Sequence, residues 1–137
     1  MPAMKLSERD IERTCTDWLA LDGWRALKTD PVSRREWGKG FGEKGMADHL
    51  YIRYGDMRYK TDGGVLTPAG MLLCVRAEIM WIEWKAPKGR AAAHQKLWHE
   101  AERKRGALTL IAGEDFPATI EGFQSWYRSS GLMRRKV

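Results

Sequence analysis

The sequence predicts an α/β fold in which a small mixed sheet is flanked by helices. Three segments repeat apolar residues at the spacing of an amphipathic helix, and the segments between them contain the short apolar runs typical of strands. Their order is helix, strand, strand, strand, helix, strand, helix, which helices packed on a small sheet satisfy. At 137 residues the chain is long enough for a substantial core, so we expect a single domain over residues 1–137.

The first predicted helix covers residues 7–21. Ser7 and Asp10 match a capping box, and Gly23 is suited to end the helix. The apolar stripe at helical spacing consists of Ile11, Cys15, Trp18 and Leu19.

Glu8 and Glu12 lie one turn apart on this helix, so their carboxylates share one face. Two interpretations remain open. Acidic residues in a first turn interact favourably with the helix dipole and are often only solvated. Alternatively, the two carboxylates face a common site.

Three strands are predicted before the second helix. The first is residues 24–28, and the second begins at Asp48. Between them, residues 33–45 are rich in Gly, Arg and Lys, and we expect a mobile basic loop without a nucleotide-binding pattern. The turn-rich segment 55–70 predicts an inserted loop or irregular hairpin, after which strand character resumes over residues 72–85.

The second half of the chain predicts a helix over residues 91–105, a strand over 108–112 and a third helix capped by Asp115. Gly106 is expected to end the second helix. The basic tail, residues 128–137, is expected to be frayed and solvated, or to grip a nucleic-acid backbone. The predicted buried positions are His94, Leu97, Trp98 and Ala101 on the second helix, and Phe116, Ile120, Phe123 and Tyr127 on the third.

The strand that ends at residue 85 carries two opposite charges on one face. Glu83 and Lys85 are two residues apart, so in a strand their side chains point to the same side. Burying either charge costs several kcal/mol unless the charge is paired or binds a metal. A plain ion pair at a strand end and a metal-dependent nuclease centre are the two interpretations.

Asp48 opens one predicted strand and Glu83 closes the next long one. If these strands are neighbours, two carboxylates and Lys85 meet at one edge of the sheet. Facing carboxylates repel each other, and Mg²⁺ or Mn²⁺ with hard oxygen ligands relieves that repulsion. Such an ion acidifies a bound water, and Lys85 is placed to orient that water or to stabilise the charge on a phosphate. The backbone carbonyl of Trp84 is a further candidate ligand.

No other catalytic set stands out. None of the three histidines is expected at this site, since His94 lies on a predicted buried stripe and His99 is expected at the surface. Cys15 and Cys74 form neither a disulfide framework nor a zinc pattern, which is consistent with a reducing compartment. Without an apolar run near the ~20 residues of a membrane span, and without a signal peptide, we expect a cytoplasmic protein.

These motifs resemble the PD-(D/E)XK nuclease superfamily, and in detail its VRR-NUC branch, the virus-type replication-repair nucleases. The matching residues are Gly45-x-x-Asp48, Glu83-x-Lys85 and Gln95 on the following helix. The resemblance spans residues 8 to about 127. It implies a restriction-endonuclease-like αβββαβα core and dependence on Mg²⁺ or Mn²⁺.

The resemblance also implies roles for individual residues. The catalytic set is Asp48, Glu83, Lys85 and Gln95. The metal ligands are Asp48, Glu83, the backbone carbonyl of Trp84, and either Glu8 or Glu12. Glu8 matches the acid of the VRR-NUC helix, whereas the spacing of Glu12 from Gly23 is similar to that in archaeal junction resolvases of the same superfamily.

The resemblance implies hydrolysis of phosphodiester bonds in branched double-stranded DNA. Small stand-alone members resemble homodimeric resolvases of four-way (Holliday) junctions from phages and bacteria, so we expect a homodimer with that activity in a bacterial or phage-infected cell. A flap nuclease or a non-specific, restriction-like DNA nuclease is the alternative enzyme. A catalytically inactive DNA-binding module is the alternative outside the enzyme class.

A net charge of +6 and a pI of about 9.5 favour a polyanionic partner. From residue 85 to residue 105 there are seven Lys or Arg against two Glu, directly after the predicted site. We expect basic side chains of the glycine-rich loop and of this segment to contact DNA phosphates. They are Arg34, Arg35, Lys39, Lys44, Lys88, Arg90 and Lys96.

Overall fold

The computed structural model describes residues 5–29, 43–54, 65–66, 72–73 and 77–135. Its helices are α1 (Glu8–Ala20), α2 (Ala93–Lys104) and α3 (Ile120–Ser129). Its strands are β1 (Trp24–Lys28), β2 (His49–Arg53), β3 (Val65–Leu66), β4 (Leu72–Leu73), β5 (Glu78–Glu83) and β6 (Leu108–Ile111). The predicted mixed α/β class is confirmed.

The main sheet has four strands in the order β1-β2-β5-β6. β1 pairs antiparallel with β2, β2 pairs antiparallel with β5, and β5 pairs parallel with β6. β3 and β4 form a separate antiparallel ribbon in the connection from β2 to β5; β3 lies within the segment predicted as a loop or hairpin, and β4 lies in the segment predicted as a strand. Of the long strand predicted over residues 72–85, Leu72–Leu73 pair in this ribbon and Glu78–Glu83 pair in the main sheet, where the strand ends at Glu83.

Helix α1 begins and ends where the sequence predicts. The backbone N–H of Asp10 donates to Ser7 Oγ at 3.1 Å, and the Ser7 N–H donates to Asp10 Oδ2 at 3.0 Å, which completes the capping box. After the helix, Gly23 takes a φ of +93°, a conformation that glycine adopts without the strain of a side chain. The chain then turns directly into β1.

The hydrophobic core lies between the sheet and helices α1 and α3. Aromatic residues fill most of it, and their polar atoms are hydrogen bonded, as buried aromatic residues require. Trp84 Nε1 donates to the Tyr51 hydroxyl at 2.9 Å, and Trp24 Nε1 donates to the Tyr127 hydroxyl at 2.9 Å. The aliphatic and sulfur members of this core include Ile11, Cys15, Leu19, Met80 and Ile82.

The buried face of α2 differs from the prediction. Trp98 and His99 are buried, whereas His94, Leu97 and Ala101 are exposed, Leu97 to 67%. The apolar pattern predicts this face incorrectly because the helix buries a polar residue, His99, beside Trp98.

His99, predicted at the surface, is fully buried, and its Nδ1 lies 2.6 Å from Thr109 Oγ1 on β6. Burial lowers the pKa of His99 to about 4, so the side chain is neutral in the folded protein and compatible with the core.

The start of α3 also differs from the prediction. Thr119, not Asp115, is the N-cap, and its Oγ1 accepts the N–H of Gly122 at 2.9 Å. Asp115 instead accepts the N–H of Ile111 at 2.7 Å, and so closes the turn after β6. Phe116 lies before the helix and packs into the core beside Phe123, with ring centroids 5.0 Å apart.

The basic tail is packed through residue 135, so the expectation of a frayed end is wrong for that part. Backbone N–H groups of Arg134 and Arg135 donate to Asp22 Oδ1 at 3.0 and 2.8 Å. Burial raises the pKa of Asp22, but the Tyr127 hydroxyl, these N–H groups and Arg53 more than offset that effect and lower it. Asp22 is thus a buried anion that holds the tail against the end of α1.

In the described part of the chain, no helix has both the length and the apolar character needed to cross a membrane.

Candidate functional site

The candidate site lies where β2 begins and β5 ends. Because these neighbouring strands are antiparallel with His49 opposite Ile82, Asp48 lies beside Glu83 although 35 residues separate them in sequence. The backbone N–H of Asp48 donates to Glu83 Oε2 at 3.2 Å. The condition on which the predicted constellation depended, that the two strands are neighbours, is met.

Glu83 is 1% exposed, and both of its carboxylate oxygens accept hydrogen bonds. Oε1 accepts from Gln95 Nε2 at 2.7 Å and lies 3.2 Å from Lys85 Nζ. Oε2 accepts from the N–H of Asp48. The Glu83–Lys85 ion pair therefore exists, but it is one contact within a larger network.

Gln95 connects the strand end to the following helix. Its amide nitrogen binds Glu83, and its Oε1 accepts from Lys85 Nζ at 3.1 Å and from the N–H of Ala92 at 2.9 Å. One side chain thus fixes the orientation of both charged groups and the start of α2. Gln95 can do this because it offers both donors and an acceptor, unlike either charged neighbour.

Negative charge at the site is only partly balanced. Burial, together with the neighbouring charge of Asp48, raises the pKa of Glu83 from its ordinary 4.5 to about 7, although Lys85 acts to lower it. Burial also raises the pKa of Glu8, and Asp48 and Glu12 add to that effect while Lys85 opposes it. A cation bound among these groups would relieve their repulsion.

An open cavity of 460 Å³ lies beside Glu8, Glu12 and Asp48. It is lined by Glu8, Arg9, Glu12, Lys28, Asp48, His49 and Trp84. Both predicted helical acids therefore border the same cavity as Asp48, as the shared-site interpretation requires, although Glu8 is exposed. Trp84 borders the cavity while its ring is buried in the core.

His49 was missed by the sequence interpretation, which expected no histidine here. Its Nε2 lies 3.0 Å from Glu12 Oε1, and its side chain is 9% exposed. Burial lowers the pKa of His49, while Glu12 and Asp48 act to raise it. The available indication in the sequence is that His49 directly follows Asp48. Because successive residues of a strand point to opposite faces, this adjacency does not predict a shared site. The contact pairs Glu12 with His49. Glu8 instead interacts electrostatically with Asp48 and Lys85.

The donor chemistry fits a hard divalent cation. Glu8, Asp48 and Glu83 offer carboxylate oxygens, the ligands that Mg²⁺ and Mn²⁺ prefer. Within the ranges described by the structure, no three His, Cys, Asp or Glu side chains are already spaced as a metal-binding group. Mg²⁺ usually retains several waters and takes only one or two carboxylates, so the charge and oxygen donors present here suit it.

Gly45 shows why the motif before Asp48 begins with glycine. Its φ is +86°, and a Cβ at this position would lie 2.2 Å from the backbone oxygen of His94. The chain therefore passes directly against the first turn of α2 on its way to Asp48. This close approach holds the start of β2 and the start of α2 together around Gln95.

The predicted DNA-contacting residues fall into two groups. Arg34, Arg35 and Lys39 lie outside the described residues. Lys44, Lys88 and Arg90 are exposed, and Lys96 is 56% exposed and paired with Glu114 at 3.1 Å.

Comparisons with protein-family models, with curated proteins and with solved structures find no match to this chain.

Proposed function

We propose that this protein is a divalent-metal-dependent endonuclease that hydrolyses phosphodiester bonds in double-stranded DNA. The observation that carries the proposal is the convergence of Asp48, Glu83, Lys85 and Gln95 where two antiparallel strands adjoin, with Asp48 lining the same cavity as Glu8 and Glu12.

A plain structural ion pair accounts less well for this arrangement. A buried pair is often no more stabilising than apolar residues of similar volume. Here burial of the pair, together with a second carboxylate beside it, raises the pKa of Glu83, which makes the folded state less stable near neutral pH. Such destabilising charge clusters are common at functional sites.

The proposed roles follow from the contacts. A bound Mg²⁺ or Mn²⁺ would supply Lewis acidity and acidify a water. Asp48, Glu83 and Glu8 are the candidate ligands, with the carbonyl of Trp84 as a further one. Lys85, held by Gln95 Oε1 at 3.1 Å, presents a positive charge for the attacking water or a phosphate oxygen. Gln95 holds the side chains of Glu83 and Lys85 in their relative orientation through a hydrogen bond to each.

The choice between the two helical acids follows from their partners. Glu12 contacts His49, whereas Glu8 interacts electrostatically with Asp48 and Lys85. We therefore assign Glu8 as the free helical ligand and Glu12 as a positioning residue.

The finer substrate assignment, a four-way junction resolved by a homodimer, rests on the resemblance of the motifs to VRR-NUC nucleases. The test is cleavage of labelled four-way junction, flap and linear duplex with Mg²⁺ or Mn²⁺, each repeated with a chelator. Paired symmetric nicks in the junction support resolution. Equal cutting of linear duplex would refute structure specificity, and cutting that survives chelation would refute the metal requirement.

Variants test the site itself. Lys85→Ala and Asp48→Ala are expected to abolish cleavage while retaining DNA binding, and Lys104→Ala, exposed at the far end of α2, is the matched control. If either site variant cuts at a rate near wild type, the assignment is wrong. Binding should weaken steeply with salt, since phosphate contacts release counterions.

A further inference from the structure

A second cavity, of 240 Å³, lies between the loop that follows β5 and the loop that follows β6. Residues 87–91 form one wall, residues 112–114 form the other, and Lys96 of α2 borders it. It is separate from the cavity in front of Glu8 and Asp48, with which it shares no lining residue. Its volume is several times the ~30 Å³ of one water, which leaves room for a hydrated anion.

The charges around this cavity favour an anion. Lys88, Arg90 and Lys96 line it, against one acid, Glu114. Lys96 pairs with Glu114 at 3.1 Å, so Lys88 and Arg90 supply the uncompensated positive charge of the lining. Arg90 brings a planar guanidinium that suits bidentate contact with phosphate oxygens.

The backbone adds to this preference. β5 and β6 are parallel, and the cavity lies beyond their carboxyl ends, where α/β sheets commonly bind ligands. Helix α2 starts nearby with Ala92 as its N-cap, which offers no side-chain acceptor, and its first turn contains no acid. The positive end of the helix dipole is therefore not offset by an acidic first turn, and the side chain that caps it, Gln95, is neutral.

The cavity adjoins the candidate catalytic residues. A Cβ at Gly89, in its wall, would lie 3.3 Å from Cβ of Lys85. Gln95, which holds Lys85 and Glu83, lies next to Lys96 on α2. A group bound in the cavity would thus lie close to Lys85, with Gly89 between them.

We propose that this cavity binds a phosphate group of the nucleic-acid strand other than the phosphate that is cut. The proposal extends the proposed nuclease function, but phosphate binding does not require cleavage. The same chemistry has two sources, a backbone diester within the strand and a terminal monoester at its end.

The first measurement is binding of inorganic phosphate to the whole chain without metal, by calorimetry and by the shift of the melting temperature. Arg90→Gln and Lys88→Gln are compared with Lys104→Gln, which removes an equal charge from the exposed end of α2. Loss of one charge-assisted contact should weaken binding by about tenfold for either cavity variant, with little change for the control. Equal weakening in all three, or no phosphate binding by the wild type, would overturn the proposal.

The second measurement separates the two sources. Binding of duplexes that end in a 5′-phosphate or a 5′-hydroxyl is measured with chelator present, so that nothing is cut. Equal affinity assigns the site to a backbone diester, and a preference for the phosphorylated end that Arg90→Gln abolishes assigns it to a terminal monoester. Duplex binding unchanged by Arg90→Gln would overturn the proposal. Failure of the nuclease proposal would appear separately, as no cleavage by a protein that still binds phosphate.

Discussion

Replacing Glu83 with glutamine should stabilise the protein and abolish its activity together. The amide is nearly isosteric and removes a buried charge. The pKa of Glu83 is raised from its ordinary 4.5 to about 7. Since each tenfold change in proton affinity corresponds to about 1.4 kcal/mol, the charged carboxylate destabilises the folded state by up to about 3.5 kcal/mol. A lost hydrogen bond to the single amide oxygen offsets about 1 kcal/mol of this.

The gain in the free energy of unfolding of Glu83→Gln over wild type should depend on pH. Between pH 4.5 and about 7 the folded carboxyl binds more protons than the unfolded one, so wild-type stability falls as pH rises through that window. Glu83→Gln escapes this loss. Its advantage over wild type should be about 1–3 kcal/mol at pH 8, smaller by more than half near pH 5.5, and absent below pH 4.5.

Chemical denaturation at several pH values checks this, with Glu100→Gln as the control. Glu100 is an exposed acid of α2 paired with Lys104 at 3.5 Å, and its replacement should change stability by less than about 0.5 kcal/mol. If Glu83→Gln is less stable than wild type at pH 8, the Glu83–Lys85 contact is a stabilising ion pair and the reasoning from charge repulsion fails.

Three further outcomes are expected. Glu8→Gln should lower the cleavage rate by at least about tenfold through loss of a metal ligand. Glu12→Gln should lower that rate by a smaller factor. The reverse order in a single-turnover assay would exchange the two assignments. Gly45→Ala should destabilise the fold by about 3 kcal/mol or more, because of the 2.2 Å approach to the His94 oxygen and the positive φ; a melting temperature near wild type would contradict this. Asp22→Ala should cost about 2–4 kcal/mol in unfolding free energy, since it removes the acceptor of Arg53, of the Tyr127 hydroxyl and of the tail N–H groups at once, although Arg53 keeps its contact with Glu78; intact stability would show that the tail does not need this anion.

Local features of the fold were predictable because short-range chemistry determines them. The Ser7 capping box, the glycine after α1 and the start of β2 after Asp48 depend on neighbours a few residues away. Glu83 and Lys85 also contact each other as strand alternation predicts. In each case the interacting groups lie close in the sequence.

Features set by tertiary packing were not predictable from pattern. The rotation of α2 that buries His99 depends on Thr109, which supplies the hydrogen bond from a different element. The place of His49 in the site depends on Glu12 reaching across from α1. The packed tail depends on Asp22, more than one hundred residues earlier in the chain. No periodicity in the sequence records these contacts.

The pairing of β2 with β5 has a consequence for the long stretch of chain between them. Asp48 and Glu83 lie at one end of this pair, and Arg53 and Glu78 are partners at the other. The connection leaves and re-enters the sheet at that second end, about 17 Å from the acids for a five-residue strand. Its length and sequence are therefore free to vary without moving Asp48 or Glu83, provided that Arg53 and Glu78 stay in register. Replacing residues 55–76 with a short turn would yield a smaller protein with the same constellation of acids, and would show that chemistry and insertion are separable parts of this chain.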